Sequence, residues 1–146
     1  MKSFLLLFAI TFMYSGCKKG SYSSAGINSI EGSWELRKIV ANTTLSYPPG
    51  SGNYLKFTKD TYEQFTGGVL EKNGTYSIVS DDSASETTCM TVEAGQFKKC
   101  IVYDGLTGAG KYYFQISDNT LTMITGKGCQ MLDANWEGQY VKVLGQ

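Results

Sequence analysis

The feature that most constrains the fold is a succession of short segments in which apolar and polar residues alternate. Leu55 and Phe57 share one face of segment 53–58, and Tyr112, Phe114 and Ile116 share one face of segment 111–116. This period of two is typical of β-strands that bury one face. Similar strands are predicted at 30–40, 61–66, 75–79, 87–93, 96–104, 120–125 and 136–144.

These strands follow one another along the chain with turn residues between them, and no segment has the pattern of an amphipathic helix. A sheet of eight or nine strands tends to close or to split into two layers, because closure removes exposed edges. We therefore predict an all-β domain, an antiparallel up-and-down β-barrel of eight or nine strands. The alternative is a β-sandwich.

The first strand, 30–40, places Trp34, Leu36 and Val40 on one face and Glu35 and Arg37 on the other. We predict that the apolar face is buried.

A long connection, 41–52, follows the first strand. Two consecutive prolines, Pro48 and Pro49, lack N–H donors and exclude a central strand there. Two interpretations stay open: a lid over a cavity mouth, or a surface crossover.

Segments 87–93 and 96–104 are predicted to form a hairpin about Ala94-Gly95, which places Cys89 opposite Cys100. Directly opposed residues have Cβ atoms within about 5.5 Å, near the separation that a disulfide accepts. An oxidising compartment would allow the bond. We predict a Cys89–Cys100 disulfide, with Cys129 as the competing partner.

The composition argues against several function classes. The sequence has no His, the commonest general base and metal ligand, and no spacing indicates a nucleophile, so we do not expect an enzyme. Asp81, Asp82 and Glu86 lack the spacing of a calcium loop, and the glycines of 105–110 lack the lysine of a phosphate loop. We predict neither a metal nor a cofactor. Acidic and basic residues number 13 each, without the basic stripe of a nucleic-acid-binding protein.

The first 16 residues have the pattern of a secretory signal peptide, with Lys2 before an apolar run that is too short to span a bilayer. Ser15-Gly16-Cys17 resembles the lipobox of bacterial lipoproteins. The resemblance implies cleavage before Cys17 and attachment of acyl chains to its thiol, which would anchor the protein to a membrane. The alternative is a plain secretory signal with an unrelated cysteine.

Residues 17–29 are rich in Ser and Gly and are predicted to be a flexible tether, which leaves residues 30–146 for one folded domain. Lys18, rather than an Asp, follows the cysteine. In enteric-type lipoprotein sorting this favours the outer membrane, on the periplasmic face in our prediction.

Gly32-Ser33-Trp34, at the start of the first strand, is similar to the Gly-x-Trp signature of lipocalins. The order of lipobox, tether, Gly-x-Trp strand and hairpins resembles the small lipocalin-like lipoproteins of Bacteroidetes-type bacteria, over residues 30–146. The resemblance implies that Trp34 packs across the closed end of a barrel, beneath a basic residue from near the last strand. Lys142 is the candidate for that residue.

The resemblance also implies a lumen that holds a small hydrophobic ligand. Leu55, Phe57, Tyr76 and Phe114 are the candidate ligand-binding residues, although the same side chains would serve equally as a packed core. Two functions stay open: a module that binds a small apolar molecule, or a non-enzymatic structural or interaction subunit at the outer membrane. The sequence identifies no protein partner.

Overall fold

The computed structural model describes residues 29–88, 90–107, 111–126 and 135–144. These residues form nine strands and one helical turn. The elements are β1 (Gly32–Val40), β2 (Thr44–Ser46), β3 (Tyr54–Phe57), β4 (Thr61–Thr66), β5 (Val69–Ser80), α1 (Ala84–Thr87), β6 (Lys99–Tyr103), β7 (Lys111–Ser117), β8 (Thr120–Gly126) and β9 (Glu137–Val143).

Eight of the nine strands form a closed antiparallel barrel. From β3 to β9 each strand pairs with the next one in the chain, and β1 closes the barrel by pairing with β3 on one side and β9 on the other. The remaining strand, β2, pairs with the last residues of β1. The predicted up-and-down barrel is therefore confirmed, and the β-sandwich alternative is not.

The barrel interior is filled by apolar side chains from alternate strand positions, as the period-two pattern requires. Trp34 and Leu121 are fully buried and Phe57 is 2% exposed. The other buried members of this core are Ile30, Leu36, Leu55, Tyr62, Tyr76, Ile101, Phe114, Met123 and Tyr140.

A β-bulge at Arg37 changes the inward face of β1. Leu36 lies opposite Tyr140 on β9, but Lys38 lies opposite the adjacent Gln139, so Arg37 is the extra residue. An inserted residue reverses the alternation beyond it. As a result Ile39 packs against the core, and the prediction that Val40 shares the buried face with Trp34 and Leu36 is wrong.

A second, smaller core lies on the outer wall of the barrel. Cys100, Tyr113 and Ile124 point outward from β6, β7 and β8, where Ala84 and Phe97 from the β5–β6 connection cover them. These outward side chains are largely apolar, so their removal from water is favourable, and the β5–β6 connection buries them.

This cover replaces the hairpin predicted about Ala94-Gly95. Cys100 lies opposite Val79 of β5 and Tyr113 of β7, and no strand occurs between Ala84 and Lys98 in the described part of that connection. Cys100 is a free, buried thiol, while Cys89 and Cys129 lie outside the described residues. The hairpin is wrong, and the disulfide prediction loses its structural basis.

A polar network holds the β5–β6 connection against the wall. The Lys111 ammonium lies 2.7 Å from Asp81 Oδ2, and Ser83 donates to Asp81 Oδ1 from its hydroxyl at 2.7 Å and its N–H at 3.0 Å. Burial alone would raise the pKa of Asp81, but the hydrogen bonds from Lys111 and Ser83 outweigh it and lower that pKa to about 2. Asp81 is therefore ionised at neutral pH.

Candidate ligand-binding site

A cavity of about 240 Å³ opens at the end of the barrel where β1 ends and β9 begins. We call this end the mouth. Leu55, Leu106 and Met123 supply apolar lining, and Gln64 and Lys72 are its polar side chains other than tyrosines. Five aromatic side chains form the rest of the wall: Tyr62, Tyr103, Tyr112, Trp136 and Tyr140.

Tyr103 lies at the centre of a chain of three aromatic rings. Its ring centroid is 4.5 Å from that of Tyr62 in a tilted arrangement and 5.2 Å from that of Tyr112 in an edge-to-face arrangement. Such geometries are the favourable ones between aromatic rings. The three rings come from β4, β6 and β7, so their contacts connect these three strands inside the barrel.

Asp104 holds Tyr62 in place from just beyond β6. Its carboxylate accepts hydrogen bonds from the Tyr62 hydroxyl at 3.1 Å and from the N–H of Thr75 at 2.9 Å. Gly74, opposite Tyr62 on β5, makes this possible, because a Cβ there would overlap the Asp104 carboxylate. Burial first, and then the hydrogen bond to Asp104, raises the pKa of Tyr62.

Tyr103 and Tyr140 are also neutral phenols at neutral pH. Burial, assisted by neighbouring tyrosines, raises the pKa of Tyr103 and Tyr140 well above the ordinary value. Among the described residues, the hydroxyls of Tyr103, Tyr112 and Tyr140 have no hydrogen-bond partner. The wall therefore combines apolar rings with hydroxyl groups that are able to bond to a ligand.

Trp136 forms part of the wall because β9 carries a glycine beside it. Gly138 points into the barrel opposite Met123, and a Cβ at Gly138 would overlap the Trp136 ring and lie 2.9 Å from Cε2 of Tyr140. The Trp136 carbonyl accepts a hydrogen bond from Thr125 N–H at 3.1 Å, which fixes its backbone. The missing side chain at Gly138 therefore shapes the cavity.

Gln64 and Lys72 bring polar groups to the same cavity. They lie directly opposite each other on β4 and β5. Lys72 is exposed, and among the described residues its ammonium has no ion pair or hydrogen bond. By contrast, Lys56 pairs with Glu63 on the outer wall at 3.2 Å.

Only one of the four predicted ligand-binding residues, Leu55, lines this cavity. Phe57 is packed in the core, where its ring centroid lies 5.1 Å from that of Tyr76. Tyr76 and Phe114 line a more polar depression of about 390 Å³ at the opposite end, together with Lys59 and Lys99. Sequence reasoning missed the tyrosine wall, although the alternation of segment 111–116 placed Tyr112 on the same face as Phe114.

Trp34 lies toward the end of the barrel opposite the mouth, near the start of β1. Its indole N–H donates to the Ile30 carbonyl at 2.6 Å, and the Lys142 ammonium lies 5.1 Å from the centroid of its ring. Gly32 has a φ of +125°, and a Cβ there would lie 3.0 Å from Cε of Lys142. A glycine is therefore required where the lysine stem crosses the chain.

The long connection 41–53 is a surface crossover that runs along the outer face of β1. The N–H groups of Gly50 and Ser51 donate to Glu35 Oε1 on the outer face of β1, at 2.6 and 3.1 Å. The other Glu35 oxygen pairs with Arg37 at 2.8 Å. Tyr47 and Asn53 from this connection line a cavity of about 240 Å³ that shares Tyr140 and Trp136 with the first.

Ser83 and Lys111 approach each other to 3.3 Å on the outer wall, a pairing that some hydrolases use. An amine activates a serine only when it is neutral. The hydrogen bond to Asp81 is the main cause of a raised pKa of Lys111, which keeps it charged. This pair is therefore part of the structural network around Asp81.

Within the described part of the chain, no group of three or more His, Cys, Asp or Glu side chains is placed to hold a metal ion. The same residues contain no helix of the length and apolarity that crossing a membrane requires. Comparisons with protein-family models, with curated proteins and with solved structures found no match. The function is therefore inferred from the geometry of the cavity.

Proposed function

We propose that this protein binds a small, largely apolar molecule in the tyrosine-lined cavity, as a lipocalin-like binding protein. The observation that carries the proposal is the cavity itself, about 240 Å³ bounded by five aromatic side chains. Ligand sites are typically concave, mostly apolar and equipped with a few polar groups. A barrel built only for stability would fill this space with side chains, because unfilled space in a core costs free energy.

The volume limits the size of the ligand. An apolar cavity of about 150 Å³ holds benzene, and drug-sized ligands occupy about 300 Å³ or more. The cavity measures about 240 Å³, which suits a molecule of one or two rings or a short branched chain.

A neutral fluorescent dye of two fused rings, 1-naphthylamine, tests this proposal. We expect saturable one-to-one binding, accompanied by a change in tryptophan fluorescence, since Trp136 lines the cavity. Gln64→Trp would fill the cavity and should weaken binding at least tenfold. Gln115→Trp makes the same change on β7, at a position that faces outward from the barrel, and should leave binding intact. Equal affinities in the two variants, or no saturable binding to the wild type, would contradict the proposal.

We also propose that acyl chains on Cys17 anchor the protein to the outer membrane. Residues 29–31 lead into the start of β1, at the end of the barrel opposite the mouth. An anchor upstream of them would connect to the barrel at the end opposite the mouth, which leaves the mouth free to face the solvent. Ligand would then exchange with the aqueous phase rather than with the bilayer.

Labelling with a radioactive fatty acid tests the anchor. Cys17→Ala should abolish the label and leave an unprocessed or soluble protein, because the acylated thiol is absent. Cys129→Ala, the matched control, should keep the label and the membrane fraction. A labelled, processed Cys17→Ala protein in the membrane fraction would refute the lipobox assignment.

A further inference from the structure

Among the described residues, the charge on the cavity wall is of one sign. Within that part of the chain, Lys72 is the only charged side chain that lines the cavity, and its ammonium has no partner there. The carboxylate that contacts a lining residue, Asp104, already accepts hydrogen bonds from Tyr62 and Thr75. A ligand in the cavity therefore meets an unpaired positive charge.

Gln64 adds a second group at the same place on the wall. It lies opposite Lys72 across the β4–β5 pairing, and both side chains line the cavity. An ammonium and an amide N–H₂ are donors that together suit a carboxylate or a similar anion. A cationic group at this position would be repelled by Lys72.

The rest of the wall is suited to an aromatic body. Tyr62, Tyr103 and Tyr112 already contact one another with tilted and edge-to-face geometry, and a planar ring can extend such contacts. A space of about 240 Å³ accepts one ring or two fused rings, whereas an extended long-chain fatty acid exceeds it.

We propose that the ligand is a small aromatic anion, with its ring among the cavity tyrosines and its acidic group against Lys72 and Gln64. This inference rests on the proposed function of the cavity as a binding site. It adds the chemical class of the ligand. It also gives Lys72 the role of favouring anionic over cationic ligands.

Three compounds with one naphthalene body and different charges test the inference: 2-naphthoate, 2-naphthamide and 2-naphthylmethylammonium. Their affinities for the whole folded domain are measured by calorimetry at low salt, where a partly exposed ion pair is least screened. We expect 2-naphthoate to bind about tenfold more tightly than the amide, as a charge-assisted hydrogen bond would provide. The ammonium compound should bind most weakly.

Variants then assign the effect to Lys72. Lys72→Met should lower the affinity for 2-naphthoate about tenfold and leave that for 2-naphthamide unchanged, because only the anion uses the charge. Lys72→Glu should make the ammonium compound the tighter ligand. Lys56→Met removes a lysine from the outer wall, where Lys56 pairs with Glu63, and should change none of these affinities.

The outcomes separate this inference from the proposed function. If 1-naphthylamine binds at the cavity but 2-naphthamide binds as tightly as 2-naphthoate or more tightly, the anion assignment is overturned and the binding site stands. Tighter binding of palmitate than of 2-naphthoate would overturn the assignment of a small aromatic body. If neither the dye nor any of the other three naphthalene compounds binds, both the inference and the proposed function are overturned.

Discussion

Trp34→Ala should leave a domain that is unfolded or only marginally stable at room temperature. Truncating a fully buried tryptophan costs about 3–5 kcal/mol, and the whole stability of a small domain is about 5–15 kcal/mol. Trp34 is 0% exposed, donates to the Ile30 carbonyl at 2.6 Å, and lies beneath the Lys142 ammonium. The free energy of unfolding, measured by urea titration with circular dichroism, gives the loss.

Two other variants separate the contributions at this site. Trp136→Ala makes the same substitution at a partly buried wall position and should cost clearly less. Lys142→Met keeps the apolar stem over the indole and removes the charge, so it should cost about 1 kcal/mol or less. A Trp34→Ala protein that unfolds at the wild-type urea concentration would show that the indole is not part of the core.

Gly52→Ala should be the most damaging alanine substitution in the surface crossover. Gly52 has a φ of +77°, and a Cβ there would lie 2.5 Å from the N of Gly68 and 2.7 Å from the C of Gly67. These are backbone atoms of the β4–β5 turn, so they cannot move aside cheaply. A left-handed conformation costs about 1–2 kcal/mol, and with the forced shift we expect a total of about 2–5 kcal/mol.

Gly50→Ala is the matched control for that variant. Gly50 has the same φ of +77°, but its Cβ would meet nothing within 4 Å. It should therefore lose only the cost of the left-handed conformation, about 1–2 kcal/mol. Urea unfolding of the two variants side by side measures the difference, and equal losses would mean that the β4–β5 turn does not press on Gly52.

Most strands could be predicted because their information is local. The hairpins β3–β4 and β7–β8 each join two alternating segments across a short polar turn, so partner and register follow from the segments themselves. The inward face of β7, with Tyr112 and Phe114, followed from the alternation alone. Strand β5 did not: the alternation of 75–79 predicted only its last part, whereas β5 runs from Val69 to Ser80 and contains Gly74, which makes room for Asp104.

Non-local packing decided the segments where local patterns were wrong. The alternation of residues 87–93 predicted a strand, but Ala84–Thr87 forms a helical turn and the connection covers the outward side chains of Cys100, Tyr113 and Ile124. Which strands carry a second apolar face depends on how the whole sheet curves and closes. That information is spread over β6, β7 and β8, and no single segment contains it.

By itself the sequence determined an all-β chain, the approximate position of most strands and the burial of Trp34, because alternation and turn residues act between neighbours in the chain. Only the tertiary structure decided that β1 closes on β9 and that a bulge at Arg37 turns Ile39 inward. The cavity, too, was decided only by the tertiary structure. It exists because closure brings the cavity tyrosines, from four strands, to one end of the barrel, while Gly74 and Gly138 make room for Asp104 and Trp136 around them.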